Sequence, residues 1–156
     1  MTITFPDGTQ RQYPSGTTGM EIARSIGEGL ARAALGIVVN GTVYDLSRPI
    51  YEDATVRILT WNDEEGKRIF WHSTAHLMAE ALEALYPGVK FGIGPPIEQG
   101  FYYDVDLPDG LTLSSDDFPR IEEKMRELVK ANNPYERIEI SWDDAVAYYR
   151  QKVHWC

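Results

Sequence analysis

His72 and His76 stand four residues apart, separated by Ser73, Thr74 and Ala75. They sit inside a long helical pattern, so both imidazoles leave one face of one helix, and Glu80 continues that stripe by another turn. An imidazole titrates near neutrality and can hold a water, a substrate hydroxyl or a metal, or act as a general base. The spacing suits two ligands on one metal. It differs from the zinc-protease pattern, because Ser73 rather than a glutamate follows the first histidine. Zinc also needs at least a third protein ligand, and the remaining candidates, His154 and Cys156, lie among the last three residues. Spacing alone therefore leaves two readings open: a functional pair, or a structural pair with each ring satisfied on a half-buried face.

A second candidate is the stretch Gly92-Ile-Gly-Pro-Pro-Ile-Glu-Gln-Gly100. It lacks the Gly-Lys-Ser/Thr ending of a phosphate loop. It reads either as a stiff hairpin connection or as backbone held by prolines for close approach to a ligand. Tyr102, Tyr103, Asp104 and Asp106 follow on a β-prone run, with Tyr103 and Asp104 on opposite faces. A paired-carboxylate glycosidase reading finds no sugar cleft to support it. The acidic clusters at 63–65, 116–117 and 122–123 read as solvated helix starts, favoured by the helix dipole.

The elements that must position these residues divide into two groups. Residues 1–61 read as a compact unit of order ββ-α-ββ-β. Thr2–Phe5 and Thr9–Tyr13 are joined by the turn Pro6-Asp7-Gly8, a helix spans Thr17–Ile26, and Leu35–Val39 and Thr42–Leu46 flank Asn40-Gly41. Ala54–Trp61 alternates as a last strand. This order predicts a β-grasp, ubiquitin-like sheet wrapped on one helix. Asn62–Gly66 forms a charged hinge that caps the next helix. That helix is expected over about Glu64–Tyr86, with Phe70, Leu77, Ala81 and Leu85 buried. Strands are expected at Val89–Ile93 and Phe101–Leu107. A helix should run from Ser115 to about Asn132, with Phe118, Ile121, Met125 and Leu128 in register. A short strand at Arg137–Ile140 and a final helix behind a Ser141/Asp144 capping box complete the pattern. The expected class is α+β, with domains at 1–61 and 62–156.

Composition narrows the functional classes. With 156 residues and 43% hydrophobic content, the chain has enough material for one ordinary domain or two small ones. The net charge is −9, and nearly all of it falls after residue 61. Such a balance argues against non-specific nucleic-acid binding, which needs basic residues to neutralise phosphates. It leaves room for handling one nucleotide end. No apolar run reaches the roughly 20 residues of a membrane helix, and the first residues lack the basic and apolar regions of a signal peptide. A single cysteine points to a reducing cytoplasm.

The block His72-Ser-Thr-Ala-His76-Leu, then Gly92-Ile-Gly-Pro, then Gly100-Phe-Tyr-Tyr-Asp-Val-Asp, resembles the editing domain of bacterial threonyl-tRNA synthetases. The first sixty residues resemble the TGS domain that precedes it, and the resemblance covers residues 1–152. It implies an α+β editing domain that is incomplete here, because the family pairs His-x-x-x-His with a later Cys-x-x-x-His. The sequence His154-Trp155-Cys156 has the wrong order and spacing to replace that half. An N-terminal fragment of a longer enzyme is thus expected. The resemblance assigns His72 and His76 to orienting the terminal ribose and an attacking water. It assigns Gly94, Pro95 and Tyr103 to lining a serine pocket, and implies no metal in this stretch. For the full-length parent it implies ATP, magnesium and zinc, the acceptor end of tRNA(Thr) as partner, a homodimer and a cytoplasmic location. Two competing classes are a non-enzymatic TGS module that binds RNA or a partner, and a small zinc-binding hydrolase.

Overall fold

The structure is a computed structural model that describes residues 1–134 and 136–152. Two compact units emerge, Met1–His72 and Ser73–Cys156. The division falls inside one helix, later than the charged hinge at 62–66, because the first turns of that helix pack onto the end of the first unit.

The first unit starts with β1 (Thr2–Thr4) and β2 (Gln10–Gln12), antiparallel with Ile3 opposite Arg11. The Asp7 carboxylate accepts the Thr9 N–H at 2.9 Å, and Gly8 takes φ 83° to complete the turn. A two-residue strand β3 (Thr17–Thr18) leads into α1 (Gly19–Ile26). Thr18 and Glu21 form a reciprocal capping box there: Glu21 N–H donates to Thr18 Oγ1 at 3.3 Å, and Thr18 N–H donates to Glu21 Oε2 at 2.7 Å. A short α2 (Glu28–Ala33) follows, then β4 (Gly36–Val39) and β5 (Thr42–Tyr44) around Asn40-Gly41. β6 (Pro49–Ile50) pairs with β3, and β7 (Ala54–Leu59) closes the unit.

The main sheet has the order β2-β1-β7-β4-β5, with β1 and β7 parallel and the other pairs antiparallel. Alternation drives its inner face. Ile3, Ile37, Val39, Ala54 and Val56 turn inward onto Ile22 of α1, and Ile50 joins them. Burying such branched side chains contributes about 1.5–3 kcal/mol each before conformational entropy is set against it. The β-grasp expected from residues 1–61 is what forms. The expected order lacked α2 and the β3/β6 pair, which are short and carry little periodic signal.

α3 (Glu64–Leu85) runs unbroken across the division. Its buried side chains are Ala75, Ala81 and Leu82, and Gly66 is buried near its start. Ala81 was expected there, whereas Phe70 is 41% exposed and Leu77 and Leu85 are only half-buried. In the second unit, β8 (Lys90–Phe91) pairs with β11 (Val105–Asp106), and β9 (Pro96–Ile97) pairs with β10 (Gly100–Phe101). The single strand expected over Phe101–Leu107 is therefore interrupted at 102–104, because its two ends pair with different partners. Ser114 and Asp117 make a second capping box, and α4 (Phe118–Ala131) ends at Asn132 in the left-handed conformation. Ile121 is buried on α4 but Phe118 is exposed. Arg137–Ile140 does not form the expected strand: no described strand pairs with it, and Ile138 and Ile140 are exposed. α5 (Trp142–Lys152) starts as expected, with Asp144 N–H donating to Ser141 Oγ at 3.1 Å. Among the described residues no helix is long and apolar enough to cross a membrane.

Candidate functional site

The helix that carries the histidines is fixed at its start by a polar clasp. The Asp63 carboxylate accepts the Thr60 N–H at 2.8 Å, the Thr60 hydroxyl at 3.2 Å and Arg57 Nη1 at 2.9 Å. Arg57 Nη2 donates to Glu65 Oε1 at 2.7 Å. The Glu65 backbone N–H, and then this guanidinium, hold the Glu65 carboxyl below its ordinary range. Gly66 is buried against Thr60 so closely that a Cβ there would lie 2.0 Å from the Thr60 carbonyl oxygen. Ile69 lies over Gly36, and Trp61, Phe70 and Trp71 meet edge to face with centroids 5.2–5.5 Å apart. The charged segment read from the sequence as a hinge is thus packed and hydrogen-bonded within the first unit.

Further along α3, His72, His76 and Glu80 are all exposed, while Ala75 and Leu82 are buried. The helix presents its imidazoles on a face turned away from the side it buries. Four residues of helix rise about 6 Å, so the two rings can address one small group from the same side. Among the described residues no three His, Cys, Asp or Glu side chains stand close enough to hold a metal ion. His154 and Cys156 lie outside the described residues.

Gly94, Pro95 and Tyr103 are all half-buried. A Cβ at Gly94 would lie 2.6 Å from Cδ2 and Cε2 of Tyr103, so the phenol ring rests directly on the glycine. Phe91 meets that ring edge to face at 5.3 Å. The loop and the aromatic strand approach again where Gly92 N–H donates to the Asp104 carbonyl at 2.8 Å. Of the two readings of the proline-rich stretch, the hairpin connection is what forms: Pro96–Ile97 pairs with Gly100–Phe101, and Gly92 and Gly94 pack closely against the chain's own Asp104 and Tyr103. Phe91 was missed by motif reasoning. Its signal was its place on the strand that precedes the loop.

The five expected site residues thus form two sets, the histidines on α3 and the Gly94–Pro95–Tyr103 cluster on the loop and the strand beyond it. A separate groove of about 430 Å³, lined by Leu77, Met125 and Val129 with Glu122, Arg126 and Lys130, includes none of them.

Residues 1–60 match the TGS domain family. A threonine–tRNA ligase of Cytophaga hutchinsonii is 62% identical over 150 residues, covering 96% of this chain and 23% of that enzyme. That of Parabacteroides distasonis is 57% identical over 147 residues, covering 94% and 22%. One from Porphyromonas gingivalis is 53% identical over 150 residues, covering 96% and 23%. The chain spans less than a quarter of the length of these curated relatives. Residues 1–60 carry a TGS domain, a second α+β unit follows in sequence, and the chain is similar over 94–96% of its length to a stretch of threonine–tRNA ligase.

Proposed function

We propose that the chain contributes the proofreading part of a threonine–tRNA ligase, the part that hydrolyses Ser-tRNA(Thr). The carrying observation is the exposed imidazole pair on α3, in a chain so similar to that enzyme. Serine lacks one methyl of threonine, and a pocket contact with one methyl discriminates only about 10–200-fold. Synthetases for small side chains are the standing case of this limit, so a second, hydrolytic site is needed. In this reading His72 and His76 orient the terminal ribose and a water. One imidazole takes a proton from that water as it attacks the ester carbonyl, and the ribose hydroxyl leaves. The ester is already activated, so positioning supplies much of the rate. Tyr103 and the backbone at Gly94 and Pro95 line the pocket that admits serine.

The partner in this reading is the acceptor end of tRNA(Thr), met in the cytoplasm by a full-length homodimeric enzyme. ATP, magnesium and zinc serve that enzyme's charging reaction. The stretch with His72 and His76 holds half of the histidine and cysteine set that its relatives are expected to use. The isolated chain is therefore expected neither to charge tRNA nor to deacylate Ser-tRNA(Thr) efficiently. The test measures hydrolysis of Ser-tRNA(Thr) by the isolated chain and by a full-length relative carrying the His72→Ala equivalent. Loss in the full-length variant, with little activity in the isolated chain, supports the reading. Rapid hydrolysis by the isolated chain that is lost in His72→Ala refutes its incompleteness. The TGS match favours a second reading, a non-catalytic module that docks RNA. Saturable tRNA binding unchanged by His76→Ala would select it.

A further inference from the structure

Asn40 is the asparagine of this chain that is followed by glycine. The pair forms the two-residue loop between β4 and β5, with Val39 opposite Thr42. Asn40 has φ 48° and Gly41 has φ 82°, the double positive that a type I′ hairpin turn requires. Both residues are exposed. The side-chain contacts of Asn40 are less ordinary. Oδ1 of Asn40 accepts the Thr55 N–H at 2.9 Å and lies 3.3 Å from the Thr55 hydroxyl, while Asn40 N–H donates to the Thr55 carbonyl at 2.9 Å. The amide carbonyl of Asn40 is thus held at the end of β7 by two donors.

We propose that Asn40 is a site of spontaneous deamidation, activated by Thr55. The backbone nitrogen of Gly41 attacks Cγ of Asn40, forming a C–N bond and a tetrahedral centre. Negative charge grows on Oδ1, where the Thr55 N–H and hydroxyl already point, as donors do in an oxyanion hole. The Cγ–Nδ2 bond then breaks. Nδ2 leaves as ammonia after gaining the proton lost from Gly41 nitrogen, carried by solvent. The product is a five-membered succinimide. Water opens it at Cγ to give aspartate, or at the backbone carbonyl to give isoaspartate, whose main chain runs through the former side chain. Gly41 carries no side chain to hinder the attack. Gln99-Gly100 would need a six-membered ring for the same reaction and serves as an internal reference.

The test incubates the full chain at mildly alkaline pH and follows the tryptic peptide Ala33–Arg57 by mass spectrometry. A free synthetic peptide spanning residues 36–45 is run alongside. The one-dalton gain at Asn40 is expected to appear faster in the folded chain than in the peptide, and before any gain at Gln99. Thr55→Val keeps the strand and removes the hydroxyl donor; circular dichroism checks its fold, and it should slow the conversion severalfold. A folded chain that converts no faster than the peptide, or a Thr55→Val chain that keeps pace with the parent, overturns the proposal.

Discussion

Replacing Gly66 with alanine should destabilise the chain, against the usual expectation for a helix. A glycine inside a helix ordinarily costs about 1 kcal/mol relative to alanine, so the exchange elsewhere on α3 would stabilise. At Gly66 the new Cβ would lie 2.0 Å from the Thr60 carbonyl oxygen. Close C···O contacts settle at about 3.3–3.6 Å, so helix and strand end must part by more than 1 Å. That carbonyl accepts the Asp63 N–H at 3.1 Å, and Thr60 N–H donates to Asp63 at 2.8 Å. Losing two such bonds costs about 1 kcal/mol each, and overpacking adds about 1–3 kcal/mol. Less the helix-propensity gain, the net loss is about 2–4 kcal/mol. In a unit of this size that lowers Tm by about 8–30 °C. Thermal unfolding is read from Trp61 and Trp71 fluorescence in a Trp142→Phe, Trp155→Phe background. A Gly66→Ala chain as stable as its parent would refute the clasp as described.

Gly94→Ala tests the seat of the Tyr103 ring. The new carbon would stand 2.6 Å from the ring, roughly 1 Å inside ordinary contact, at a cost of about 1–3 kcal/mol. The Tyr103 and Phe91 ring signals should shift in NMR spectra, and unchanged rings would count against the packing. Two carboxyls should titrate low. Glu21 is held below its usual range by the Thr18 N–H and hydroxyl, and Asp117 by those of Ser114. A depressed folded value means these caps contribute above the ordinary carboxylate range, and their contribution fades as pH falls through the lowered value. Carboxyl-carbon NMR should place both midpoints below the ordinary glutamate and aspartate values of about 4.3 and 3.9. Thr18→Ala should bring Glu21 part of the way back, since the backbone donor remains. A Glu21 midpoint unmoved by that change would contradict the capping box.

Local chemistry was the legible part of the fold. Pro6-Asp7-Gly8 and Asn40-Gly41 need only their own residues to turn the chain, and alternation at Ala54–Leu59 needs only one buried face. What escaped depends on distant partners. The β3/β6 pair is two residues long and exists because Thr17 meets Ile50. α2 buries a single side chain, Ala31, so it shows no apolar stripe. Along α3 the apolar residues do not fall on one clean face, and packing rather than periodicity selected Ala75 and Leu82 over Phe70. The site divides in the same way. His72 and His76 announce themselves by spacing, and their exposure follows from which side of α3 packs. Gly94 and Tyr103 were named through family resemblance. The steric reason for the glycine, a ring lying on it, exists only once the chain has folded.

The strand order of the first unit governs how it can fold. β1 with β2, and β4 with β5, are local hairpins that can close within microseconds of meeting. They share no edge, because β7 lies between β1 and β4. The middle of the sheet is thus the last strand to be synthesised. Pairing Ile3 with Ala54 closes a loop of about fifty residues, and its entropy must be met before the core can reward it. Until β7 arrives, the inner edge of each hairpin, at β1 and at β4, stays unpaired and its apolar face bare. For this unit the hazardous interval is a matter of elongation time, and the residues that end it are Val56 and Ile58.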